Sequence, residues 1–291
     1  MGININTIKA FNLLNNKKGH LGTVITLGRQ GVYLDKKRIL KEIKNSKIGK
    51  EKIKNFKSGP NVSYAENLIE LYGVENVDSL DYSNYEGAKF VWDMNIPIPE
   101  NLKNKYDLVF DGGTLEHVFN FPVAIKNAIE MLNPEGYFIS VACCNNLVGH
   151  GFYQFSPELF FKIFSKENGF KGCDIYIAVN NRFTTKSVWY KVKDPKYIKE
   201  RIVFKNYKRT EIVVLAQRNK EKLKVDNFNK IYQSDYMEIW NSKKVLKNKQ
   251  KNYSIKKLIK FMKTKILNLF LNHSINFNYK FFSRFDYRYD R

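Results

Sequence analysis

Five short stretches of the chain carry residue types that can do chemistry. Gly28-Arg29-Gln30-Gly31, Asp81-Tyr82-Ser83, Asp93-Met94-Asn95, Asp111-Gly112-Gly113-Thr-Leu-Glu116-His117 and Ala142-Cys-Cys-Asn-Asn146 each follow a short apolar run. Gly28, Gly112 and Gly113 lack a Cβ, so a ligand can come close to the backbone there. A carboxylate after a second strand can accept both hydroxyls of a ribose, which suits Asp81. A polar residue after a third, Asp93 beside Met94, can meet an adenine edge. The bland alternatives stay open: Asx-turns or helix caps for Asp81 and Asp93, and a tight turn for Gly112-Gly113. Arg29 can meet an anionic carboxylate or stand as a surface charge.

His117 and His150 follow two of these strand ends. An ordinary imidazole titrates at about 6.5, which suits proton acceptance at neutral pH. Glu116 can orient His117, or the pair can hold a divalent ion, or both can simply cap and pack a helix. No metal centre is expected, since the three cysteines show no C-x-x-C spacing and the four histidines no H-E-x-x-H pattern. Gly149-His150-Gly-Phe-Tyr153-Gln154 reads as a lid from which Tyr153 and Gln154 touch an acceptor.

Positioning these residues requires strands that end at one edge. Residues 23–27 form a β-branched run closed by Gly28, a pattern that predicts a buried strand. Further strands are expected at 76–80, 89–92, 106–110, 137–142, 174–179 and 211–217. Between them lie helical patterns: Lys-rich segments over 32–56, then 64–72 closed by Gly73, then a helix from 121 or 122 ended by Asn133-Pro-Glu-Gly136. The last is a helix opened by Ser156-Pro157. Strands alternating with helices predict an α/β fold, with a doubly wound, mostly parallel sheet covered on both faces.

The run Tyr106-Asp-Leu-Val-Phe-Asp-Gly-Gly-Thr-Leu-Glu-His-Val118, its following helix, and Asn133-Pro-Glu-Gly-Tyr-Phe-Ile139 resemble the class I S-adenosylmethionine-dependent methyltransferases. The resemblance covers about residues 23–142 and thins toward 217. It implies a Rossmann-like sheet, S-adenosylmethionine as cofactor, and methyl transfer to an O, N or C nucleophile. It also implies Gly28 in the glycine loop, Asp81 at the ribose, Asp93 near the adenine, and Asp111 with Gly112 beside the methionyl part. An acceptor that is a small molecule or sugar, methylated at oxygen as in bacterial surface-glycan pathways, is the further implication. The family's first loop usually reads acid-x-Gly-x-Gly, whereas Thr26-Leu-Gly28-Arg29-Gln30-Gly31 puts Thr for the acid and Gln for the second glycine. About 50 residues, not the ~20 of a dinucleotide fold, separate Gly31 from Asp81. A catalytically silent ligand-binding or scaffold module is the rival, and Gln30 filling the methionyl space would favour it.

The 291 residues hold 50 Lys+Arg against 28 Asp+Glu, a net charge of +22, with 43% hydrophobic and 15% aromatic residues. That composition builds a real core and excludes wholesale disorder, a collagen-like chain or a disulfide scaffold. Residues 241–291 hold 14 basic and 2 acidic residues, a net of +12, leaving +10 for residues 1–240. Two domains are expected: a Rossmann domain over 1–220 and a basic α-helical extension over 221–291. Within the extension, 253–273 predicts an amphipathic helix with a broad apolar stripe and Lys256, Lys257, Lys260, Lys263 and Lys265 on its polar side. Such a helix packs on its own domain or a second copy in a homodimer, or lies on an anionic bilayer. Nucleic acid is not an expected partner, because no phosphate loop, RNP-like run or zinc finger accompanies the charge. With no signal peptide and no continuous spanning segment legible, a cytoplasmic protein is expected, peripheral at the inner face of the membrane if the tail binds lipid.

Overall fold

The computed structural model describes residues 2–44, 46, 48, 53, 56, 64–74, 76–180, 187–198, 201–221, 223–224, 228, 231–241, 276–277 and 281–285. They belong to two compact units, one of residues 1–192, 208–231 and 283–291, the other of 193–207 and 232–282. The stretch expected as a C-terminal extension from 221 is therefore shared between them. The amphipathic segment 253–273 and the Ser58-Gly-Pro60 break lie outside the described residues.

The first unit is built on β1 (Val24–Leu27), β2 (Val77–Asp81), β3 (Phe90–Val91), β4 (Tyr106–Asp111), β5 (Leu132–Asn145), β6 (Phe170–Asn180), β7 (Ser187–Val192), β9 (Thr210–Arg218) and β11 (Phe282–Phe285). The strand order is β11-β7-β6-β9-β5-β4-β1-β2-β3. β1 through β5 pair in parallel, while β9 runs antiparallel between β5 and β6, and β7 antiparallel to β6. All four residues of β1 are buried, as a strand with parallel neighbours and covered faces requires. The chain leaves β1 toward β2 and β3, then returns to β4 on β1's other side. The topological switch point therefore lies between the carboxyl ends of β1 and β4, where open α/β sheets bind ligands.

One face is covered by α1 (Ile5–Lys18), α2 (Lys36–Ile43) and α3 (Glu66–Glu70), whose Ile8, Phe11, Leu14, Ile39, Leu68 and Ile69 share a core with Leu108, Phe110 and Ile139 of the sheet. α1 starts because Asn4 accepts the N–H groups of Asn6 and Thr7 while Thr7 answers with its hydroxyl, and it stops at Gly19 with φ +88°. Phe11 meets Phe110 edge-on at 4.8 Å. The pleat turns Phe138 to the opposite face, where it stacks within 5.0 Å of Phe164, just past α5 (Pro157–Ile163), beside α4 (Phe121–Glu130).

In the second unit, α6 (Pro195–Ile198) precedes β8 (Phe204–Lys205), which pairs antiparallel with β10 (Asn276–Phe277); α7 (Ser234–Asn241) is tied by Arg201 to Asp235 at 2.6 Å. The expected extension is thus not purely helical among the described residues.

Candidate functional site

Gly28, the first residue beyond β1, takes φ +71°, a left-handed conformation suited to glycine. Its N–H donates to the Leu80 carbonyl of β2 at 2.7 Å. A Cβ at Gly28 would stand 2.7 Å from the Thr114 hydroxyl, 3.1 Å from Gln30 Nε2 and 3.7 Å from an Asp81 oxygen. The turns leaving β1, β2 and β4 therefore meet around Gly28.

What fills that spot is Gln30. Its side chain is buried, and its Nε2 donates to the Leu27 carbonyl and to the Thr114 hydroxyl, the latter at 3.2 Å. The Gln30 Oε1 lies so close above Gly112 that a Cβ there would force Gln30 to move. That oxygen has no donor. The freedom that Gly112 offers is thus spent on Gln30. Thr114, whose hydroxyl donates to Leu27 O at 2.7 Å, completes the lock; the motif contains it, but nothing in its spacing announces that role.

The Asp81 carboxylate accepts the N–H of Arg29 at 3.1 Å and of Tyr82 at 2.7 Å. A carboxylate has about four lone-pair positions, so two remain for hydroxyls. Arg29 itself turns away. Its Nε pairs with Glu66 at 2.8 Å, its Nη1 donates to Glu86 O and Gly87 O, and the guanidinium lies 4.1 Å over the Tyr64 ring. Tyr82 is exposed. Asp93 closes an Asx-turn on Asn95, and Met94 is buried with its carbonyl held by Asn127.

Asp111 is fully buried and accepts the N–H groups of Gly113, Thr114 and Leu115, with the Ser140 hydroxyl on its other oxygen at 2.7 Å. It holds the loop rather than facing it. Burial pushes its carboxyl up, and these donors pull against that without cancelling it. Gly113, at φ +95°, turns the chain into the short 3-10 turn Leu115–His117.

That turn presents the second half of the site. His117 and His150 meet edge-to-face with ring centroids 5.1 Å apart. Burial lowers both imidazole pKa values, with His150 adding to the effect at His117 and Arg209 at His150. Beneath them, Glu116 is 0% exposed. Burial, and then the charge of Asp111, pushes its carboxyl up to about 8. The buried thiol of Cys143 is likewise pushed up, by burial and by Glu116 beside it. The 149–154 loop closes over the turn: Phe152 N–H and Tyr153 N–H both donate to Glu116 O, at 2.7 and 3.2 Å. Tyr153 donates its hydroxyl to Phe119 O at 2.6 Å, and Gln154 accepts from Leu147 N–H, so both fasten the lid. The two loops also expose Phe119 and Phe152, rings 5.9 Å apart, which the polar motifs of the sequence did not single out.

S-adenosylmethionine fits this arrangement with one rearrangement. Asp81 keeps acceptor capacity that ribose hydroxyls could use, and the Gly28 and Gly112 backbones would line the methionyl side once Gln30 swung away. Its unpaired Oε1 makes the present packing an imperfect seal.

No protein-family profile matches the chain, and no curated protein matches it. Solved structures do. The trans-methyltransferase CalH in complex with SAH aligns at 13% identity over 72% of this chain and 54% of its own, with a TM-score of 0.36. The match thus spans about half of that protein. A SAM-dependent methyltransferase of Thermotoga maritima aligns at 13% identity over 73% and 92% of the two chains, with a TM-score of 0.36. TehB of Haemophilus influenzae aligns at 15% over 72% and 61%, with a TM-score of 0.38. These likenesses are too distant to transfer an activity. The fold rests on the strand order itself.

Proposed function

We propose that the chain transfers a methyl group from S-adenosylmethionine to a hydroxyl of a small molecule or sugar, of the kind found in surface-glycan pathways. The carrying observation is the convergence of Gly28, Asp81 and Gly112 at the switch point, with two imidazoles held neutral one loop away. When bound, the cofactor supplies an electrophilic methyl on a sulfonium. Asp81 then takes the ribose hydroxyls, and the backbone at Gly28 and Gly112 lines the other end. His117 or His150 accepts the acceptor's proton on a ring nitrogen as the oxygen attacks in line. Phe119 and Phe152 offer an apolar platform for the acceptor.

One observation favours the rival, a catalytically silent ligand-binding module: the Gln30 side chain occupies the space a methionyl group needs. Calorimetry with S-adenosylhomocysteine separates the two. Methyl transfer predicts binding to the purified chain and at least about tenfold weaker binding for Asp81→Ala, the loss of one charged hydrogen-bond acceptor. Gln30→Ala is expected to bind about fivefold more tightly, since displacing the side chain costs about 1 kcal/mol. No heat at millimolar ligand in either wild type or Gln30→Ala removes the enzyme reading and leaves the silent module.

A further inference from the structure

Glu116 poses a physical problem that the methyl-transfer reading leaves unsolved. Its side chain is wholly buried, and among the described residues its carboxylate has beside it only the weak thiol donor of Cys143 and its own backbone N–H, neither in ordinary hydrogen-bond geometry. A buried polar group without a partner costs several kcal/mol, and a buried carboxylate more. Beside it, Nε2 of His150 is also buried without a partner. Each of Glu116, His117 and His150 offers one ligand atom such that all three atoms lie within 4.8 Å of one another.

We propose that Glu116, His117 and His150 form a binding site for one divalent first-row transition-metal ion. Two imidazoles and one carboxylate are the donor set of catalytic zinc and of open iron or manganese centres, whereas calcium and magnesium prefer oxygen ligands throughout. Binding draws the three atoms to about 3.4 Å apart, the tetrahedral edge for bonds of ~2.1 Å, a contraction within reach of side-chain rotation from 4.8 Å. The ion replaces the missing donors of Glu116 and of His150 Nε2 in one step.

The backbone is arranged to bring the ligands together. Gly151 has φ +78°, and a Cβ there would stand 2.8 Å from Glu116 O and 3.0 Å from its Cγ, so only glycine lets the lid loop close. Phe152 and Tyr153 then clamp the Glu116 carbonyl, and His150 is carried against His117. His117 is exposed, so the ion's remaining coordination positions face the open side of the loops. The metal site stands on this geometry alone. Its use rests on the methyl-transfer reading: with the ion bound both imidazoles are ligands, and an acceptor hydroxyl ligated in an open position loses its proton to solvent instead of to a ring nitrogen, which favours acceptors with two adjacent oxygens.

The test uses the full-length chain, stripped by chelator, with no adenosyl ligand present. Zn²⁺ calorimetry is expected to give one site, and Co²⁺ a visible d–d absorption band. His117→Ala, His150→Ala and Glu116→Gln are each expected to weaken binding at least about tenfold, while His20→Ala leaves it unchanged. His117 is exposed and Glu116→Gln preserves shape, so these two variants report on ligation with the fold checked by circular dichroism. Absence of a Co²⁺ band, or binding undiminished in both His117→Ala and His150→Ala, overturns the site. Metal binding without S-adenosylhomocysteine binding would sink only the cofactor; the reverse would sink only the metal.

Discussion

Asp111 and Glu116 are buried carboxylates five residues apart, and the chain treats them in opposite ways. Asp111 collects three N–H donors and a hydroxyl; Glu116 has only the weak thiol of Cys143 and its own backbone N–H beside it. Removing the first orphans four donors that cannot reach water, so Asp111→Ala is expected to cost about 3 kcal/mol in urea denaturation. A loss under about 1 kcal/mol would mean that the loop reorganises to satisfy them. The positions of Gly28, Asp81, Asp111 and Gly112 were legible because strand ends and residue types are one-dimensional facts. What each side chain holds was not. Arg29 could be read as meeting a ligand until Glu66 and the Gly87 carbonyl claimed it. Tyr153 could be read as touching an acceptor until its hydroxyl went to Phe119. Partners 37 and 34 residues away in the chain leave no local signal.

At the scale of elements, the parallel strands and α4 were legible from apolar runs with glycine or proline stops. α1 was not. Its inward positions include Asn6, Asn12 and Asn15, which break the apolar period yet are buried. Two of them are satisfied by distant partners, Asn6 by Glu211 and Asn180, Asn12 by Tyr72 and the Glu42 carbonyl, while Asn15 donates to the Gly19 carbonyl four residues on. β7 also escaped notice, being half exposed at the sheet's antiparallel end. A different polar tie joins the starts of β1 and β4. Asp107 accepts the Thr23 N–H at 2.9 Å and its hydroxyl at 3.0 Å, and takes Asn133 Nδ2 on the other oxygen. Burial alone would raise its carboxyl, but these donors outweigh burial and hold it below the usual range. A depressed folded value means stability that is present above the unfolded value of about 3.9 and lost as pH falls through the folded one. Asp107→Asn is therefore expected to lower stability by about 1 kcal/mol at pH 7, solvent screening included. The difference should narrow as the pH of the melt is lowered below about 3.9 and through the depressed folded value, where the carboxylate is protonated. A gap that persists there would assign the effect to shape and not to charge.

At the scale of the whole chain, the charge is the feature the fold does not consume. More than half of the +22 excess belongs to residues 241–291. Among the described residues no helix is long and apolar enough to cross a membrane. The tail's basic amphipathic pattern leaves two readings open, packing on protein or action at a lipid surface, where each lysine near an anionic bilayer contributes about 1 kcal/mol. Cutting the chain before this segment would be a poor test. β11 lies beyond it, and Phe285 packs 4.8 Å from Tyr176 and 6.2 Å from Trp189, so truncation would strip an edge strand and open the core. Substituting Lys256, Lys257, Lys260 and Lys263 together by Gln keeps the length and the apolar stripe while removing about 4 kcal/mol of attraction. The intact chain should float with phosphatidylserine-containing vesicles at about 0.1 M salt and release at about 0.5 M, where the screening length is shorter. The quadruple variant should stay in the soluble fraction. If both float equally, or neither does, the tail's lysines serve packing on the protein itself and the membrane reading fails.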